Sequence, residues 1–177
     1  ESLERIAIWP MLETPVGIYA AREIANASET VNCLIVGTSD LAKELNLPDV
    51  ENGRLGLQYA LSQCVLAAAE RKIDVLDGVC LALDRDDLLL ADSIQGKALG
   101  FSGKTLIHPK QIATANTVFG IQGDEVAEAS EIVAAWNQAE AAGSGVTVVR
   151  GKLVESLHVD RAKQIIARAE LINRRGF

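Results

Sequence analysis

Positive charge is in short supply. Lys and Arg number 17 against 24 Asp and Glu, a formal net charge of −7 over 177 residues. A nucleic-acid binder needs a basic face, and this composition excludes one. Long apolar runs are also missing: none approaches the roughly 18 residues of a membrane span. The opening ESLERIAIWP lacks the basic-then-apolar layout of a signal peptide. Cysteine is scarce and odd in number. Cys33, Cys64 and Cys80 lie far apart among aliphatic residues, with no CxxC pair. That spacing supports neither a disulfide framework nor a zinc knuckle. It reads as buried free thiols, with the reducing cytoplasm as the expected compartment.

What is present is aliphatic. Hydrophobic residues make up 49% of the chain, which rules out disorder. Apolar runs at 6–12, Cys33–Val36, Val75–Leu83 and Lys104–Ile107 read as strands. Helical patterns follow them: from Thr14-Pro15 to near Ser28, Leu41–Leu45, 56–72 and 86–98. In 56–72, Leu57, Ala60, Leu61, Cys64, Val65 and Ala68 recur on one helical face. Strands alternating with helices predict an α/β fold with parallel strands buried on both faces. Four such units are half a (β/α)8 barrel, although doubly wound sheets make the same pattern. The last third differs: a helix over 122–142, a hairpin about Arg150-Gly151-Lys152, then a basic amphipathic helix over 160–173. Trp9 and Trp136 are expected in the core.

Polar residues gather just past the strand ends, where (β/α)8 barrels carry their active sites. Glu13 and Asp40 each follow an apolar run. Two carboxylates at the mouth of a parallel sheet suit Mg²⁺, which takes one or two protein carboxylates and keeps waters and substrate oxygens. Asp40 equally suits the N-cap of the following helix, and Glu13 a solvated turn. His108-Pro109 ends the fourth strand between Lys104 and Lys110. The imidazole is a general base, a phosphate contact, or a ring locked by hydrogen bonds in the loop. Glu155 stands between Val154 and Leu157, with His158 three residues on.

Five strings occur in order: PMLETPVGI at 10–18, VGTSDLAKELN at 36–46, LDGVCLAL at 76–83, GFSGKTLIHPKQI at 100–112 and GKLVESLHV at 151–159. Together they resemble the citrate lyase β-subunit-like branch of the HpcH/HpaI aldolase superfamily, which includes malyl-CoA and citramalyl-CoA lyases. The resemblance covers nearly the whole chain. It implies a (β/α)8 TIM barrel, represented by its carboxyl-terminal half (strands 5–8, residues 1–120). A C-terminal helix–hairpin–helix extension (121–177) would reach a neighbouring subunit.

The activity implied is Mg²⁺-dependent cleavage or formation of a carbon–carbon bond in a 3-hydroxyacyl thioester of CoA or acyl carrier protein. Homotrimers or hexamers are implied, with no nucleic-acid or membrane partner. Residue by residue, the metal carboxylates fall on Glu13 and on Asp40 of the GxxDL motif, with Glu13 also touching substrate. Ile107, His108 and Pro109 fall near the CoA side. Glu155 stands where the family carries an acidic acid/base residue, commonly an Asp followed by a proline-containing stretch. The family's first four strands and their substrate-orienting arginine have no counterpart here, so a longer polypeptide or a complementary half is expected. A related pyruvate-type aldolase, an acyl-CoA thioesterase and a non-catalytic half-barrel module are the competing readings.

Overall fold

The computed structural model describes residues 6–48 and 54–175, which form two compact units, 1–120 and 121–177.

The first unit is a four-stranded parallel sheet with strands in chain order: β1 (Met11–Leu12), β2 (Cys33–Val36), β3 (Asp74–Asp77) and β4 (Gly103–Lys104). The strands are shorter than the apolar runs, and side chains end them. The run at 6–12 makes a bridge at Ile8, then skips to Met11 past Pro10, which has no N–H to give. The run at 75–83 leaves the sheet after Asp77, whose carboxylate takes the Gly78 N–H at 2.8 Å. Beyond β4, the Ile107 N–H goes to Gln111 Oε1 at 3.1 Å instead of to a strand.

Helices connect the strands. Thr14 caps α1 (Pro15–Tyr19), its hydroxyl accepting from the Gly17 N–H, with proline at the first helical position. The helix expected to reach Ser28 bends at Ala20 into α2 (Ala21–Ala25) and stops at Asn26. Then come α3 (Thr38–Glu44), α4 (Gln58–Arg71) and α5 (Asp86–Leu99). Left-handed residues, Lys72 (φ 57°) and Gly100 (φ 109°), end α4 and α5. A further helix, α6 (Ile112–Phe119), has no counterpart in the sequence reading. The core under these helices holds Leu12, Leu34, Val36, Leu41, Leu61 and Cys64. Trp9 is not in it: the ring is 54% exposed, and its Nε1 donates to Asn32 Oδ1 at 2.7 Å. A tryptophan one residue before a strand-breaking proline faces outward with its N–H satisfied.

The second unit is α7 (Gly123–Ala141), an antiparallel hairpin of β5 (Thr147–Val149) and β6 (Lys152–Val154), and α8 (Ser156–Arg175). Arg150 and Gly151 both have positive φ, which matches the two-residue turn favoured between twisted strands. Val149, Val154 and Val159 form its small core with Ile132, Val133 and Trp136. The last helix starts at Ser156, four residues earlier than the basic pattern indicates.

Candidate functional site

The carboxyl ends of β1 and β2 lie side by side, because Met11 pairs with Ile35 and Leu12 with Val36. The Gly37 N–H continues the ladder to Leu12 C=O at 2.9 Å. Glu13 therefore stands beside Gly37, one residue past each strand. A Cβ built on Gly37 would lie 2.5 Å from Glu13 Cβ and 2.8 Å from Glu13 Oε2. No side chain fits there, so glycine is what lets Glu13 lie across the end of β2. Gly37 is also the N-cap of α3, which puts Asp40 inside the first helical turn and not at the cap. There it is exposed, at the end of the helix where backbone N–H groups favour negative charge.

Among the described residues, neither the Glu13 nor the Asp40 carboxylate has a hydrogen-bond or ion-pair partner. Two unpaired, acceptor-only groups on adjacent strand ends fit a hard cation that keeps most of its ligands from water or substrate. No group of three or more His, Cys, Asp or Glu among the described residues is arranged to hold a metal. These two would therefore make up the chain's share of such a site.

At the end of β4 the imidazole of His108 is a cap. Its Nδ1 accepts from the Lys110 N–H at 3.1 Å and starts a short 3-10 turn over Pro109–Gln111. A neutral ring that accepts at Nδ1 carries its proton on Nε2. Ile107, His108 and Pro109 are all exposed. Behind them Gln111 is buried and donates to Cys80 C=O at 2.9 Å, which ties this loop to the one after β3.

The end of β3 holds what the sequence reading missed. Asp77 is fully buried, and Lys104, its cross-strand partner in register, is buried with it at 2.9 Å. Arg54 closes on both Asp77 oxygens at 2.7 and 2.9 Å. The same guanidinium also reaches Gln95, Asp92 C=O and the Asp92 carboxylate on α5. Two cations and two carboxylates balance, which is how buried charge survives. Burial pushes the Asp92 carboxyl up from its ordinary range, against the pull of Arg54 and Lys104. The signal was available: Asp77 falls inside the apolar run 75–83, and a charge inside a doubly buried strand requires a partner. Thr38 packs directly against Gly78, so this network abuts the helix that carries Asp40.

The thiols are free and buried. Burial pushes Cys33 up to about 11 and Cys64 up to about 12, so both stay protonated at neutral pH. Glu155 lies in the second unit, exposed, between β6 and α8.

Residues 2–109 match the HpcH/HpaI aldolase/citrate lyase family. The chain belongs to that family. It is 44% identical, over 94% of its length, to a (3S)-malyl-CoA thioesterase of Cereibacter sphaeroides. It is 32% identical, over 95% of its length, to an L-malyl-CoA/β-methylmalyl-CoA lyase of Rhodobacter capsulatus. In both cases it covers 58% of the relative, so it spans a little under three fifths of the length of these curated relatives. The CitE protein of Mycobacterium tuberculosis, solved with magnesium, acetoacetate and coenzyme A, superposes with a TM-score of 0.73 at 23% identity. The match covers 96% of this chain and 62% of that one. Such a likeness carries the fold, an α/β architecture with a parallel sheet. Among the described residues no helix is long and apolar enough to cross a membrane.

Proposed function

We propose that this protein is a Mg²⁺-dependent carbon–carbon lyase acting on 3-hydroxyacyl-CoA thioesters of the malyl-CoA type. The observation that carries the reading is the pair of unpartnered carboxylates, Glu13 and Asp40, at the carboxyl ends of adjacent parallel strands, with Gly37 leaving room for the first. In this reading the four strands are the carboxyl-terminal half of a (β/α)8 barrel. The unit at 121–177 is an extension that serves a neighbouring subunit of a trimer or hexamer.

Glu13 and Asp40 would hold the ion, and Glu13 would also touch substrate. Bound there, Mg²⁺ supplies a Lewis-acid contact that polarises a substrate carboxylate or carbonyl oxygen. Ile107, His108 and Pro109 line the thioester side, where His108 offers its Nε2–H as a donor. Glu155, brought by a neighbouring subunit, is the acid/base. In cleavage its carboxylate takes the 3-hydroxyl proton as the carbon–carbon bond breaks and the electron pair passes to the acetyl carbon, and the carboxyl so formed gives that proton to the carbon; condensation runs the same transfers in reverse.

A second reading is thioester hydrolysis, favoured by the 44% identity to a malyl-CoA thioesterase against 32% to a lyase. Product analysis separates the two. Malyl-CoA incubated with the protein and Mg²⁺ should yield acetyl-CoA and glyoxylate in equal amounts. Free CoA thiol and malate, with no glyoxylate at any time, would replace the lyase by the hydrolase.

A further inference from the structure

We propose that His158 is a positioning residue that fixes Glu155 for proton transfer; this rests on the reading of Glu155 as the acid/base. Glu155 is the residue from which α8 begins: its C=O accepts from the His158 N–H at 2.9 Å and the Val159 N–H at 3.4 Å. In return, His158 Nδ1 accepts the Glu155 N–H at 3.0 Å. The imidazole thus makes the second half of a capping box, in place of the usual Glu or Gln at the third helical position, while the Glu155 backbone carbonyl and not its side chain takes the His158 N–H. Val154 and Val159, on either side of the cap, are both buried in the same small core. They stand at the two positions of a hydrophobic staple, which sets the angle at which the chain joins the helix.

Glutamate is a poor choice for this cap position, where Ser, Thr, Asp or Asn would bond the helix's own N–H groups. Its carboxylate does not do so, and among the described residues it has no hydrogen-bond or ion-pair partner. A hairpin turn, a staple and an imidazole thus immobilise the backbone of a residue whose side chain serves nothing in its own unit. A locally unfavourable residue held by good local structure is the signature of a functional position. The choice of histidine follows. A Glu at 158 would accept the same bond but bring a second negative charge beside Glu155 and raise its pKa. A neutral imidazole accepts without that charge, with its proton on Nε2. The charged groups that share the cavity around His158 are Glu125 and Glu128 of α7, Lys152 of β6 and Arg161 of α8.

The test uses the purified protein, malyl-CoA and Mg²⁺, with kcat and KM measured across pH for E155Q, H158Q, H158E and H158L. E155Q should be inactive. H158Q keeps a neutral acceptor and should stay near the parent. H158L should lose kcat by about tenfold or more at little change in KM, as expected when a reacting group is misplaced. H158E should keep the helix start and displace the pH profile of kcat upward, an effect a purely structural cap would not produce. Long-range proton–nitrogen NMR of the parent should place the His158 proton on Nε2. An inactive E155Q beside a fully active H158L, or a parent ring protonated on Nδ1, overturns this inference alone. An E155Q variant as active as the parent overturns the acid/base assignment, and this inference with it.

Discussion

Gly37 connects sequence to site at the smallest scale. Its φ of −84° is open to any residue, so the backbone does not require glycine. The Glu13 side chain does, because it occupies the space a Cβ would fill. Gly37→Ala should therefore push Glu13 off its place and strain the ends of β1 and β2, because a contact with Glu13 Cβ is not relieved by rotating the side chain. We expect Mg²⁺ affinity to fall by about 10–100-fold, the usual effect of disturbing a group that orients a ligand. Isothermal titration with MgCl₂ checks it, and an unchanged affinity would show that Glu13 does not need its present position. Three carboxylates lie at or just past strand ends: Asp77 closes β3, Glu13 follows Leu12, and Asp40 comes four residues after Val36, in the first turn of α3. Folding separates them. Asp77 meets Lys104 across the ladder and Arg54 from the loop before α4, and is sealed. Glu13 and Asp40 meet no cation among the described residues. Register and loop path decide this, and neither is written in spacing.

Among the elements, β2, α4 and α5 were legible because their ends coincide with changes in pattern. The other strands were read too long, since an apolar run does not say where its ladder stops. Pro10, Asp77 and Gln111 end the ladders by withholding or diverting hydrogen bonds. Helix α6 was missed because it is only eight residues long; Ile112, Ala115, Val118 and Phe119 do recur at helical spacing, but only Ala115 in it is buried. The Asp77 network ties β3, β4, α5 and the loop before α4 together. Asp77→Ala would strand Lys104 as an uncompensated buried charge and should cost about 3–5 kcal/mol. Urea unfolding should show this, and adding Lys104→Met should recover part of the loss. A double variant no better than the single would mean that the carboxylate serves Arg54 alone.

At the scale of the molecule, the parallel order β1-β2-β3-β4 turns four strand ends to one side, where Glu13, Asp40, Asp77 and the His108 loop are found. The second unit is built separately from a helix, a hairpin and a helix, and presents Glu155 from its own framework. The alternation of strand and helix was readable from the apolar pattern, and the five ordered motifs pointed to the family. The ion-pair network behind the strand ends was not readable, because it joins residues 23 and 27 positions from Asp77.

The central claim is that Glu13 and Asp40 together hold the divalent cation. Calorimetric titration of MgCl₂ into the parent, Glu13→Gln and Asp40→Asn proteins, with folding checked by circular dichroism, tests it most directly. The account predicts saturable binding to the parent and none to either folded variant. Parent-like binding by both variants would contradict it.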